Sequence, residues 1–220
     1  MARAPGVLGE LALRRRAGRD GSAPVYELMS NGVFLMDSED ATSERLLAER
    51  VLRHLEGEAL RVLVGGLGLG FTAAAVLADP RVAQLLVVEI EPQLTTWLRA
   101  GLVPSAPDLD DRRLTILHGD VAEVVLLQPE ASLDAVLLDV DNGPGFLTHP
   151  ANAGLYGDEW LQRAASRLRP GGAVAVWSAD PSPALAESLA HAVGPVEEQR
   201  IVVHRAGRRL EYLLYLARRP

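Results

Sequence analysis

Six residues constrain this chain more than any others. Gly65-Gly66-Leu67-Gly68-Leu69-Gly70 follows the strand-like run Arg61-Val62-Leu63-Val64 and opens a helical pattern from about Phe71 to Ala78. Glycines there allow a tight turn and let a ligand lie against the backbone. The strand–turn–helix unit then repeats in kind. Leu85 to Val88 reads as a second strand, with a helix from about Pro92 to Ala100. Leu114 to Leu117 and Ala135 to Leu138 read as a third and a fourth. A helix over Glu159 to Leu168 ends at the turn Arg169-Pro170-Gly171-Gly172, ahead of a fifth strand, Ala173 to Trp177, and a helix over Ser182 to Ala192. Val196 to His204 and Leu210 to Leu216 form an antiparallel pair around Ala206-Gly207. Short apolar strands separated by amphipathic helices predict an α/β fold with a mostly parallel sheet covered on both faces. The closing antiparallel pair departs from a plain dinucleotide-binding fold.

Ahead of this unit, Val25 to Met29 and Val33 to Met36 flank Ser30-Asn31-Gly32, the signature of a short β-hairpin. Arg14, Arg15 and Arg16 read as a solvated, frayed basic segment. Ser43 is placed to cap a helix running to about Glu56. The expected division is an N-terminal arm and hairpin over 1–42 and a ligand-binding domain over 43–220.

Composition narrows the chemistry. The chain has 220 residues, no cysteine and a formal net charge of -7. That excludes disulfides and thiolate chemistry and argues against a nucleic-acid binder. All 22 basic residues are arginine, so no Schiff base, phosphate-loop lysine or lysine base is available. His54, His118, His149, His191 and His204 lack metal-ligand spacing, so no metal is expected. No apolar run suits a bilayer, and a cytoplasmic protein without membrane contact is expected.

Ligands of open parallel sheets bind beyond the carboxyl ends of the strands. The glycine turn is one such exit. Glu89 ends the second strand, followed by Ile90, and an acid there can accept hydrogen bonds from both ribose hydroxyls of an adenosine. Gly119-Asp120, followed by Val121, leaves the third strand; Asp120 could accept from an adenine amino group or cap the following helix. Asp139-Val140-Asp141-Asn142-Gly143-Pro144 leaves the fourth. Its acids and amide can bind an amine, orient a nucleophile or accept its proton, or can close an Asx-type turn.

The ordered set GGLGLG, VVEIE, HGD, LLDVDNGP and LRPGG resembles the S-adenosylmethionine-binding fold, and within it most resembles the spermidine synthase family. The resemblance implies a doubly wound, seven-stranded, mostly parallel sheet of the class I methyltransferase type. It implies that Glu89 and Ile90 hold the ribose side and Gly119, Asp120 and Val121 the adenine. Gly65, Gly66, Leu67, Gly68 and Gly70 would hold the methionine side, with Asp139 as base toward an incoming amine and Asp141 and Asn142 beside it.

Departures from the family separate the reactions it hosts. Gly68 stands where aminopropyl-transferring enzymes carry an acid for the amine of decarboxylated S-adenosylmethionine, and Val64 where many methyltransferases place one. Asn142 replaces the second acid of the strand-four motif, Leu35 a polyamine-holding glutamine, and Thr42-Ser43-Glu44 a Tyr-His-Glu run. The leading expectation is group transfer from S-adenosylmethionine or its decarboxylated form to a small molecule, an amine among the options, with methyl transfer ahead of aminopropyl transfer. A non-catalytic nucleoside binder is the second alternative, and a nicotinamide oxidoreductase is disfavoured by the strand-four cluster and the closing pair. The N-terminal hairpin that supports oligomers in spermidine synthases is abbreviated here, so a homodimer stays an open expectation.

Overall fold

The computed structural model describes residues 1–104, 107–205 and 207–220, with the backbone alone for residue 20. Leu60–Gly65 (β5), Val82–Glu89 (β6), Leu114–His118 (β7), Leu133–Leu138 (β8) and Leu168–Ser178 (β9) run parallel. Val196–Arg205 (β10) and Arg208–Arg218 (β11) complete the sheet, β11 pairing antiparallel with both β9 and β10, in the order β10-β11-β9-β8-β5-β6-β7. The seven-stranded sheet and its antiparallel end match the expectation. Ala206, at the expected tip of the last pair, lies outside the described residues.

Period-two alternation sends β-strand side chains to opposite faces. Val62, Val64, Ala135 and Leu137 therefore bury against helices Thr42–His54 (α1), Phe71–Ala78 (α2) and Pro92–Arg99 (α3). Leu63, Val136 and Leu138 bury on the other side, against Val121–Leu127 (α4), Asp158–Ala165 (α5) and Pro183–Ala192 (α6). Neighbours of the central β5 are β6 on one side and β8 on the other. Chain order reverses there, which opens a crevice at the carboxyl ends.

Four local expectations are corrected. The N-terminal element is not a short hairpin but a four-stranded antiparallel sheet: Ala2–Pro5 (β1), Glu10–Arg16 (β2), Val25–Ser30 (β3) and Val33–Asp37 (β4). Arg14 to Arg16 is not frayed, because it pairs with β3 and Arg16 meets Glu27 at 2.7 Å and Glu39 at 2.5 Å. Its arginines hid a strand whose apolar part is only Leu11 to Leu13. The Asn31-Gly32 turn is as expected, both residues at positive φ (51° and 78°). The segment Arg169 to Gly172 does not end a helix. It bulges inside β9 opposite Asp134, with Leu168 paired to Leu133 and Ala173 to Ala135, while Arg169 holds Asp134 at 3.0 Å. Finally, Ser43 lies within α1 rather than capping it; Asp40 receives the Thr42 N–H at 3.0 Å instead.

Two Asp-x-Arg clasps brace the β6–β7 side. Asp79 accepts the Arg81 backbone N–H (2.9 Å) and its guanidinium (2.7 Å), while Arg81 also donates to the Leu52 and Leu55 carbonyls at the end of α1. Asp111 and Arg113 repeat the device one strand later, Arg113 donating to the Leu77 carbonyl of α2 at 2.7 Å. Helix carbonyl ends lack intrahelical partners, and a planar five-donor fork suits them.

Candidate active site

Four strand exits and the N-terminal sheet enclose one cleft. Gly66, Gly68, Glu89, Ile90, Gly119, Asp120, Val121, Asp139, Asp141 and Asn142 all line it. The remaining expected residues stand behind its walls: Gly65 ends β5, Leu67 supplies an N–H to Glu89, and Gly70 starts α2. Gly66 adopts φ 89°, and a Cβ there would run into the Asp139 carbonyl oxygen. Glycine is needed at that point because two strand exits touch.

Glu89 is 5% exposed and already engaged: its carboxylate accepts from Leu67 N (2.7 Å) and Glu91 N (2.8 Å). Burial pushes its pKa up while these N–H donors pull it down. A carboxylate has about four lone-pair sites, so acceptance from a further donor stays open. Gly119 N donates to the Glu89 carbonyl at 3.0 Å, tying the second and third exits together. Asp120 caps α4 through Ala122 N (2.8 Å) while lining the cleft. Glu91, unremarked in the sequence, is buried and holds the N–H groups of Val7 (2.7 Å) and Leu8 (2.8 Å), drawing the β1–β2 turn onto the site.

Asp139 and Asp141 take different environments. The Asp139 carboxylate is half-buried on the cleft wall, its desolvation raises its pKa, and it accepts the Thr72 hydroxyl at 2.7 Å, which opposes the rise. Asp141 accepts from Thr148 N (2.6 Å), Asn152 Nδ2 (3.0 Å) and Tyr156 OH (2.8 Å). It thereby anchors the 3-10 turn Pro150–Tyr156 (in which Tyr156 packs rather than lining the cleft). Asn142 reaches β9 through its carbonyl, which accepts Ala179 N at 3.0 Å.

Sequence reasoning missed one whole side of this cleft. Glu44 of α1 is 4% exposed, bonded to the Ser43 hydroxyl at 2.6 Å. Burial, then the Asp139 charge, push its pKa up to about 7. Phe34, Met36, Trp177, Arg205 and Tyr212 complete the wall. Arg205 lies among three neighbouring arginines in the sequence, which concealed it. The alternation Ile201, Val203, Arg205 along the buried face of β10 was the available signal.

No protein-family model matches the chain. Over 114 residues it is 31% identical to putrescine N-methyltransferase 4 of Nicotiana tabacum, covering 52% of this chain and 28% of that protein. Over 189 residues it is 28% identical to polyamine aminopropyltransferase 2 of Pseudomonas aeruginosa, covering 80% and 51%. These matches span between about a quarter and a half of the relatives' own length. A spermidine synthase solved with the transition-state analogue AdoDATO superposes with a TM-score of 0.82 at 17% identity, over 100% of this chain and 73% of that one. The chain has a spermidine synthase-like fold, within the class I methyltransferase fold. The spermidine synthase of Thermotoga maritima gives a TM-score of 0.78 at 16% identity, over 100% and 72%. These superpositions cover the whole of this chain, its N-terminal sheet included. Among the described residues no helix is long and apolar enough to cross a membrane.

Proposed function

We propose that the chain transfers a group from S-adenosylmethionine to a small-molecule amine. The convergence of Gly66, Gly68, Glu89, Asp120 and Asp139 on one cleft carries this reading. Those residues fit the nucleoside: Glu89 and Asp120 offer carboxylate oxygens for ribose and adenine, and the turn offers close backbone. S-adenosylmethionine supplies an alkyl carbon bonded to a positively charged sulfur, already a good leaving group. The chain's task is therefore alignment and proton handling. As the amine's lone pair forms the new N–C bond, the C–S bond breaks and its electrons stay on sulfur. The proton lost by nitrogen goes to Asp139, poised by desolvation beside Thr72, with Glu44 next to it. Asp141 positions the loop that carries Asn142.

Methyl transfer is favoured because Gly68 presents no acid and Met36 occupies that flank, its sulfur 3.3 Å from Leu69 N. The putrescine N-methyltransferase similarity points the same way. Aminopropyl transfer from decarboxylated S-adenosylmethionine is the second reading, supported by the longer aminopropyltransferase match. A homodimer and a cytoplasmic location complete the proposal, both carried over from the sequence. Calorimetry with S-adenosylmethionine, its decarboxylated form and methylthioadenosine tests it. Binding of all three, with no preference for the decarboxylated form, is expected. Strong preference for that form overturns methyl transfer, and binding of none overturns the nucleoside site.

A further inference from the structure

The two ends of the acceptor side of the cleft are chemically opposite. At one, Glu44 and Asp139 are linked through Thr72, whose hydroxyl lies 2.7 Å from Asp139 Oδ2 and 3.3 Å from the Glu44 carbonyl. Toward β10 and β11 the wall changes to Arg205, Tyr212 and Trp177. The Trp177 ring packs against Tyr212 with centroids 4.7 Å apart and planes tilted by 52°, and the residue is only 8% exposed. Its Nε1–H is buried without a partner among the described residues. A buried unpaired donor is costly, and such groups in native sites call for a ligand or water.

Arg205 presents the same kind of surface. It donates to Tyr212 OH at 3.0 Å and to the Asp40 carbonyl at 3.1 Å, which engages two of the five N–H groups of a guanidinium, while its buried Nε lies 3.1 Å from Asp37 as an ion pair without a hydrogen bond among the described residues. Its Cζ lies over the Phe34 ring, 5.5 Å from the centroid. Asp37, the carboxylate paired with Arg205, is 2% exposed, is not part of the cleft wall and is shared with Arg16 at 3.9 Å. A protonated diamine would bring its second ammonium to a wall of donors and a cation. Neither indole N–H nor guanidinium can accept a hydrogen bond.

We propose that the acceptor is an amine carrying an oxygen hydrogen-bond acceptor at its far end. The amine sits at Glu44 and Asp139, and the oxygen takes the Trp177 Nε1–H and an Arg205 N–H. The oxygen is that of a hydroxyl, a carbonyl or a carboxylate. The apolar rings of Phe34 and Tyr212 pack the chain between the two ends. This rests on the transferase reading above and narrows its acceptor to a class that a diamine does not belong to. A site built around hydrogen bonds rejects analogues that leave its buried groups unpaired.

The test is calorimetry of four acceptors of equal chain length on the intact protein, alone and with methylthioadenosine. The acceptors are 1,4-diaminobutane, 4-amino-1-butanol, 4-aminobutanoate and butylamine. The hydroxyl or carboxylate compound is expected to bind about tenfold tighter than the diamine and butylamine. The two oxygen arms separate a neutral from an anionic acceptor. Trp177→Phe keeps a ring beside Tyr212 and is expected to erase that preference. Arg205→Gln is expected to weaken the carboxylate arm most. Tightest binding of the diamine, or an unchanged preference in Trp177→Phe, overturns the proposal and leaves the transferase reading intact. Absence of methylthioadenosine binding counts against the transferase reading alone, since the order among the four acceptors is read separately.

Discussion

Replacing Glu44 by glutamine should make the protein more stable at high pH and leave it unchanged at low pH. The Glu44 carboxyl is 4% exposed, and its pKa rises from an ordinary 4.5 to about 7, first through burial and then through the charge of Asp139. A carboxyl whose folded pKa is raised holds a proton that the unfolded chain has already released. Stability must then fall as pH rises from about 4.5 to about 7, with the whole cost present above that window. At about 1.4 kcal/mol for each pH unit of that window, the penalty comes to about 3 kcal/mol. The glutamine side chain cannot ionise, yet its amide oxygen can still accept the Ser43 hydroxyl. Urea unfolding of both proteins, followed by tryptophan fluorescence at several pH values, reads the difference directly. Subtracting wild type from variant cancels the other carboxylates. The expected difference is near zero at about pH 4 and about 3 kcal/mol at about pH 8. In an Asp139→Asn background the rise should be shallower, because the neighbouring charge is gone. A flat difference across the window would refute the argument, showing that Glu44 is either hydrated or already ionised.

Gly66→Ala should be severely destabilising, by about 3 kcal/mol or more, because the new Cβ meets the Asp139 carbonyl and φ is 89°; thermal unfolding measures it. Thr72→Val removes the hydroxyl that lowers the Asp139 pKa. The acidic limb of a pH–rate profile should shift to higher pH, since the base then stays protonated longer. Glu89→Ala leaves Leu67 N and Glu91 N without their acceptor. It should cost about 2–4 kcal/mol of stability as well as nucleoside affinity, whereas Glu89→Gln, which keeps one acceptor oxygen, should lose affinity with a smaller stability loss. Urea unfolding and calorimetry with methylthioadenosine separate the two effects.

Which parts were legible in the sequence follows from what each part depends on. The β5-turn-α2 unit and the strand exits were readable because periodicity and glycine act locally, within a few residues of Gly66. Glu89 and Asp139 could be placed by position alone, as acids that end buried strands. The function of Asp141 could not, since its three donors come from residues 7 to 15 positions later in a turn with no periodic pattern. Arg205 and Glu44 are separated by most of the sheet in sequence and line one cleft only because β10 and α1 fold onto it. Strand β2 was obscured because its outer half is arginine, which binds Glu27 and Glu39 across the sheet rather than water alone. Bulges behave similarly: Arg169 to Gly172 carries every mark of a terminating turn, and only pairing across Asp134 makes it part of β9.

The Asp-x-Arg clasps give the scaffold and the cleft different responses to acidity. A guanidinium does not deprotonate in proteins, and Arg113 holds the Asp111 carboxyl down at about 2. Arg81 likewise holds Asp79 below its ordinary value. Both braces thus stay charged from mildly acidic to strongly alkaline solution. Lysine in either place would lose the fork that spans a carboxylate and backbone carbonyls at once. The frame that fixes β6 and β7 is therefore indifferent to the pH at which Glu44 and Asp139 exchange protons. Acidity can retune how the cleft treats an amine while the strand exits around it hold still.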